Sequence, residues 1–314
     1  MRSARQSAPE SLPSAATPVA PAAPARWLAL LASFRPRQWT KNLIVFAPLL
    51  FAKSVFRGDA ALRASLAVVS FCLLASGVYL FNDWFDREKD RRHPEKRNRP
   101  IAAGLLSGGT VAGAVVFCWA AGAALAYAIR PSFAAVAAAY LGLQILYSLV
   151  LKKQVIVDVV AIAMGFVLRV LGGGIAISVP VSNWLYLCTL LLAVFLGFAK
   201  RRHELASLHS EAVPHRGNLD DYSVPLLDQM ISVVASSCVL AYGLYTVSRD
   251  TIEHVGSDRL KFTVPFVIYG IFRYLFLIHK RGAGGSPERV LLSDWPMIMN
   301  LILFVALASW ALYF

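Results

Sequence analysis

The strongest constraint on this chain is a succession of apolar runs, each close to bilayer length, separated by short charged stretches. About 20 apolar residues in helical form cross ~30 Å of hydrocarbon. Nine segments approach that length: 39–56, 62–81, 108–128, 132–150, 156–176, 182–200, 224–248, 262–279 and 294–314. The first is short and interrupted by Pro48 and Lys53. Composition agrees: 57% of the 314 residues are hydrophobic and 16% charged, against about 25% charged in soluble domains, and mean hydropathy is +0.58. Backbone groups in lipid need internal partners, and these runs are too long for barrel strands. The expected fold is all-α, a polytopic membrane bundle of nine transmembrane helices.

Residues 1–26 are rich in Pro, Ala and Ser and have little to bury, so a disordered tail is expected there. Its prolines also interrupt any signal-peptide core. The domain reading is therefore a tail over 1–33 and a transmembrane domain over 34–314. Lys and Arg gather in alternate loops: Arg35, Arg37 and Lys41; Arg87 to Arg99; Lys152 and Lys153; Lys200 to Arg202; Lys280 and Arg281. By the positive-inside rule these loops and the N-terminus are cytoplasmic, in a multi-pass inner-membrane protein. The loop with Lys53, Arg57 and Arg63 runs against the trend.

The formal net charge of +13 does not imply nucleic acid, because the bases flank membrane spans and answer anionic lipid. Cys72, Cys118, Cys188 and Cys238 fall within spans without paired spacing. They read as small packing residues rather than a disulfide or zinc set.

Chemistry concentrates where the second apolar run ends, at Asn82-Asp83-Trp84-Phe85-Asp86-Arg87-Glu88-Lys89-Asp90. On a helix Asn82, Asp86 and Asp90 share one face, and Asp83 lies beside Asp86. Magnesium takes oxygen ligands and commonly shares them with substrate phosphates. A carboxylate ladder at a membrane helix end therefore suggests a metal–diphosphate site, with a solvated charged loop as the alternative. Lys96, Arg97 and Arg99 follow; they suit phosphate, with a simple positive-inside anchor as the alternative. Arg99 precedes Pro100 and is thereby kept out of the helical region, which fixes its direction.

A second polar loop carries Lys200, Arg201, Arg202, His203, Glu204 and Leu205, then Asp220, Asp221, Tyr222, Ser223 and Asp228. It is a candidate second phosphate- or metal-binding half, whereas His203, His209 and His215 have no ligand spacing. Asp158 and Arg169 lie eleven residues apart in the fifth run, about three turns or ~16 Å. Ionised groups inside a membrane face a polar interior. Tyr147 and Lys152 end the fourth run at the same membrane face, and Arg273 either joins the cavity or snorkels. The glycines after Arg281 lack a Walker ending and read as a flexible connection.

Together these motifs resemble the UbiA-type intramembrane prenyltransferase superfamily. The likeness rests on Asn82-Asp83-x-x-Asp86-x-x-x-Asp90 followed by Arg99-Pro100, on Arg35-Pro36-x-x-Trp39-x-Lys41-Asn42, and on Tyr147-x-x-x-x-Lys152. It implies nine helices around a central cavity opening near the cytoplasmic face, and magnesium holding a diphosphate. Lys96 to Gly104, Lys200-Arg201-Arg202-x-Glu204-Leu205 and Tyr222-Ser223 with Leu227-Asp228 are most similar to the decaprenyl-phosphate phosphoribosyltransferase branch. The chain departs from aromatic prenyltransferases in having basic Lys200–Arg202 where those carry a second Asp-rich motif.

The resemblance implies transfer of 5-phosphoribose from phosphoribosyl diphosphate to a polyprenyl phosphate, giving a lipid-linked pentose for cell-envelope polysaccharide. It makes Asp83 and Asp86 magnesium ligands, with Asn82 and Asp90 orienting them or binding substrate. Lys41, Lys96, Arg99, Lys152, Lys200, Arg201 and Arg202 become candidate phosphate contacts. Asp158, Glu204, Tyr222 and Asp228 are candidates for ribose hydroxyls or a second metal, and Tyr147 and Arg169 are further substrate-binding candidates, Tyr147 beside Lys152 at the phosphate-binding face. The alternative is prenyl transfer from a prenyl diphosphate to an aromatic acceptor. A transporter or scaffold would show repeated halves with broken helices, and no repeat is evident. A homo-oligomer is left open.

Overall fold

The computed structural model describes residues 26–94, 96–208, 221–281, 290 and 293–314. Helix α1 (Arg26–Ser33) leads into a 3-10 segment (Pro36–Phe46) and α2 (Ala47–Phe51). Then come α3 (Gly58–Phe85), α4 (Arg87–Arg91), a 3-10 turn (Lys96–Asn98), α5 (Gly108–Ile129) and α6 (Pro131–Leu149). A second turn (Leu151–Lys153) precedes α7 (Val157–Ala176), α8 (Asn183–Leu208) and α9 (Val224–Val247). The chain ends with α10 (Arg249–Val255), a 3-10 turn (Arg259–Thr263), α11 (Val264–Arg281) and α12 (Trp295–Tyr313).

Among the described residues eight helices are long and apolar enough to cross a membrane: α3, α5, α6, α7, α8, α9, α11 and α12. The expected first span, 39–56, is not one of them. Pro36 and Pro48 each sit in the first turn of a new helical segment, where the missing amide costs nothing. Eleven residues at ~2.0 Å and five at ~1.5 Å together reach about 30 Å. The stretch 36–51 thus covers a span's distance as two short pieces, ending at Lys53 in the left-handed region. The tail expected over 1–33 is also shortened, because Arg26–Ser33 is helical and buries Ala29. Residues 1–25 lie outside the described residues.

Neighbours in sequence pack as neighbours in space: α3 against α5, α5 on α6, α6 on α7, α7 on α8, α8 on α9, α9 on α11 and α11 on α12. The helices are not equivalent. In α3 and α7, 61% of the apolar window is buried, against 22–33% in the other six, so these two form the interior and the rest face outward. Around them lie two apolar clusters. Phe71 of α3 packs edge-on against Phe133 (5.6 Å) and Tyr140 (5.2 Å) of α6, with Val45 and Ala176. Val159, Phe195, Leu227, Ile231, Tyr274 and Ile278 join α7, α8, α9 and α11.

The 3-10 segment is seated on α7 at Gly173. A Cβ built there would lie 2.2 Å from the Val45 carbonyl oxygen, so only glycine admits this backbone-to-backbone approach. The four cysteines are all free, three of them buried, as packing residues would be.

Candidate active site

Helix α3 is 28 residues long, about 42 Å, some 12 Å more than the hydrocarbon core. That excess is enough for its polar last turn, with Asn82 and Asp83, to stand clear of the apolar layer. The helix stops at Asp86, yet the amide of Asp86 bonds the Asn82 carbonyl (2.9 Å) and that of Asp90 the Asp86 carbonyl (2.8 Å). Helical spacing thus persists through the break, and the ladder stays together.

The acids are matched by cations from three separate parts of the chain. Arg35 Nη2 donates to Asp83 Oδ1 at 2.6 Å, and Arg99 Nη1 donates to the same oxygen at 3.0 Å and to Asp90 Oδ2 at 2.6 Å. Lys152 Nζ reaches Asp86 Oδ2 at 3.3 Å. Asp83 and Asp90, both buried, thus share one guanidinium, while Asp86 turns toward α6 with 41% of its side chain exposed. Spacing places Asp83 beside Asp86; the structure couples Asp83 to Asp90 instead.

Arg99 is aimed by a packed loop. Ile101 and Leu106 are buried against Ala29, Leu80 and Val111, Arg91 Nε bonds the Ala102 carbonyl at 2.9 Å, and Gly104 turns the chain at φ 76°, a conformation that favours glycine. Lys41 lies in the 3-10 segment beside buried Asn42, and Lys96 opens the turn before Arg99.

A second cluster lies where α6, α7 and α8 meet. Arg201, 2% exposed, donates from Nε to Asp158 Oδ2 (2.7 Å), from Nη1 to Glu204 Oε2 (2.5 Å) and from Nη2 to the Tyr147 hydroxyl (3.3 Å). Tyr222 donates to Asp158 Oδ1 (3.2 Å) and accepts from the Ile156 amide (2.6 Å). Burial pushes its hydroxyl up to about 12, and the neighbouring Asp158 carboxylate adds to the rise. Both oxygens of Asp158 are therefore engaged, and its direct work is to hold Arg201. Lys200 lies 3.9 Å from Glu204. Tyr147 and Lys152, at one end of α6, tie this cluster to the ladder.

Beyond it, Arg202 pairs with Asp228, whose Oδ1 also meets His279 Nε2 at 3.2 Å. His279 and Arg35 are the two residues to which sequence reasoning assigned no site role. The pre-proline position of Arg35 was the available signal; His279 reaches Asp228 across 51 residues and left none.

Arg169 belongs elsewhere. It is buried in α7 and donates to Asn42 Oδ1 (2.7 Å), the Tyr140 hydroxyl (2.7 Å) and the Gly165 carbonyl (2.9 Å). Asn42 in turn donates to Cys72 Sγ at 3.1 Å. Arg169 thus fastens the 3-10 segment to α6 and α7. Arg273 joins neither cluster: it makes a two-pronged pair with Asp294 at 3.0 and 2.9 Å, and Asp294 caps α12. A pocket of about 210 Å³ lined by Lys53, Arg259 and Tyr313 lies at the opposite end of α3 from the ladder. The expected turn at 216–218, Asp220, His209, His215 and the glycines at 282–285 lie outside the described residues.

Among the described residues no three His, Cys, Asp or Glu side chains converge as a metal cage. The ladder nonetheless fits a hard divalent cation of the magnesium kind, which needs one or two carboxylates and fills its remaining positions with phosphate and water. Flanked by Arg99 and Lys152, such a site can hold a leaving diphosphate and spread its charge.

Residues 42–209 match the UbiA prenyltransferase family. The chain is 33% identical over 296 residues to a decaprenyl-phosphate phosphoribosyltransferase of Mycolicibacterium smegmatis, covering 91% of this chain and 92% of that one. It is likewise 33% identical to the Corynebacterium glutamicum enzyme of the same name, over 84% and 81% of the two chains. Among solved structures, a UbiA homolog from Archaeoglobus fulgidus bound to GPP and Mg2+ superposes with a TM-score of 0.70. It has 19% identity and covers 92% of this chain and all of that one.

Proposed function

Because this chain belongs to the UbiA prenyltransferase family, we propose that it moves 5-phosphoribose from phosphoribosyl diphosphate to a polyprenyl phosphate, as the names of its similar relatives indicate. The observation that carries this reading is 33% identity to a decaprenyl-phosphate phosphoribosyltransferase along nine-tenths of both chains. The basic Lys200–Arg202 run at the second cluster supports it, because this donor brings a 5-phosphate as well as a diphosphate.

In this reading Asp83 and Asp86 hold magnesium, with Asp90 in support. Bound there, the ion would supply charge neutralisation to a diphosphate. Arg99 and Lys152, already against those carboxylates, share the charge that develops on the leaving oxygens. A lipid phosphate is anionic at neutral pH, so no strong general base is needed. Its oxygen forms the new bond to the anomeric carbon as the bond to diphosphate breaks, and the electron pair leaves with diphosphate. The remaining task is alignment of the two phosphates, which falls to the basic groups of the two clusters. Arg201 is held rigid by Asp158, Glu204 and Tyr147, while Lys200, Arg202 and Lys41 are the candidates for direct contact. The positive-inside distribution puts this end of the bundle, and the N-terminus, in the cytoplasm.

The test is incubation of purified protein with magnesium, polyprenyl phosphate and phosphoribosyl diphosphate labelled in the ribose. Label is expected in the lipid fraction. Its absence from well-folded protein that instead transfers a prenyl group to an aromatic acid would establish the other reaction.

A further inference from the structure

Each acid of the ladder already has a cationic partner. Asp83, Asp86 and Asp90 contribute three negative charges, and Arg35, Arg99 and Lys152 contribute three positive ones, each within 3.3 Å of its partner. Two of those cations, Arg35 and Arg99, crowd onto one oxygen, Asp83 Oδ1. A divalent cation that took this oxygen would part Arg35 from its carboxylate near the membrane surface, whereas Arg99 would keep Asp90. A cation arriving with a diphosphate brings replacement oxygens for Arg35.

Arg35 is built for such an exchange. Its side chain is 30% exposed, whereas the carboxylate that it holds is 6% exposed, so the arginine can move while the acid cannot. Its guanidinium also lies 5.1 Å from the ring centre of Tyr79, one turn before Asp83 on α3, a second perch of the cation–π kind. Its backbone sits at φ 54°, ψ 59°, left-handed for a residue that precedes proline and would ordinarily be extended. Non-glycine residues in that region cost of order 1–3 kcal/mol and persist where the surroundings dictate them. Here α1 and the seating of the 3-10 segment on Gly173 do so.

We infer that Arg35, with Arg99, is an exchangeable counter-ion. It holds Asp83 through Oδ1 and passes to the diphosphate when metal and diphosphate enter together. The site therefore admits metal weakly by itself and tightly with diphosphate. This rests on the metal–diphosphate reading of the ladder, but not on which group is transferred, since diphosphate leaves in either reaction. Metal and diphosphate are coupled through the protein, and such coupling is reciprocal.

The experiment uses two probes on full-length protein in nanodiscs: Mn2+ alone, followed by electron paramagnetic resonance, and labelled inorganic pyrophosphate at fixed free Mg2+. Replacing Arg35 by Gln is expected to move them in opposite directions. Mn2+ alone binds about tenfold tighter, and pyrophosphate with Mg2+ about tenfold weaker, within the usual range of coupling between sites. R35K restores both toward the starting values. R99Q shows the same opposed pattern and serves if R35Q is not recovered folded. A change of both affinities in one direction, or of neither, overturns the inference, because a residue that merely supports the fold has no reason to strengthen one ligand while weakening the other. Opposed shifts in protein that transfers no phosphoribose would leave this inference standing and remove the proposed substrate.

Discussion

Gly173→Ala tests how the fold is joined to the site. The added Cβ would lie 2.2 Å from the Val45 carbonyl oxygen and 3.0 Å from its carbon. That is 1.2 Å inside the 3.4 Å at which ordinary contact begins, and the obstacle is backbone, so no rotamer relieves it. The 3-10 segment must lift from α7 by about that amount. Overpacking of this kind costs about 1–3 kcal/mol, a fall of roughly 2–12 °C in Tm by the scaling of larger domains. The lift also strains the Asn42–Arg169 bond at 2.7 Å and the Arg35–Asp83 contact at 2.6 Å. A misplacement near 1 Å can cost about 10²-fold in rate, so kcat/KM for the labelled donor should fall well beyond the loss of folded protein. Gly165→Ala is the control on the same helix, since its Cβ would meet nothing closer than 3.6 Å. Thermal unfolding followed by fluorescence, with label transfer measured on the same preparations, decides the matter. Equal Tm and equal activity in the two variants would refute the reasoning that seats the segment on Gly173.

Asp83→Asn and Asp86→Asn should each lower label transfer by at least about 10²-fold through lost charge stabilisation, and the variant at the more exposed Asp86 should unfold close to the parent. Chelation of divalent metal should abolish transfer, and magnesium should restore it; transfer that persists in excess chelator removes the metal from the reading. Asp158→Asn removes one of the two carboxylates that hold buried Arg201 and should cost about 1.5–3 kcal/mol, visible as poorer recovery and a lowered Tm rather than as a change in KM alone. Tyr222 holds its proton to about 12 in the folded protein, whereas an unfolded chain releases it near 10. Between those values the folded state binds the extra proton, so stability falls as pH rises. Tyr222→Phe should flatten that fall in Tm measured from pH 9.5 to 11.5, and an unchanged slope would count against the assignment.

Much of this architecture was legible because membrane insertion is a local property. A run of apolar residues of given length must be a buried helix whatever surrounds it, so eight long spans fall within a few residues of their expected positions. The emergence of Asn82–Asp90 at the end of α3 follows from helix length alone. The break at 39–56 was foreshadowed by Pro48, but its 3-10 form was not, because it is rewarded only by packing on Gly173, more than a hundred residues away. Partner choice was equally out of reach. Helical spacing placed Asp83 beside Asp86, yet Asp83 shares Arg99 with Asp90, while Asp86 takes Lys152 from 66 residues further on. Arg201 was expected as a phosphate contact and Arg169 as a residue of the polar cavity, both among the substrate-binding groups. The fold gives the first two carboxylates and the second only neutral partners. Sequence by itself determined the membrane class, the helices and the acids that leave the bilayer, since hydrophobic length and helical period act along the chain. Which cation meets which acid was decided only by tertiary structure, because an ion pair is set by distance in space, and the chain brings these groups together from far apart.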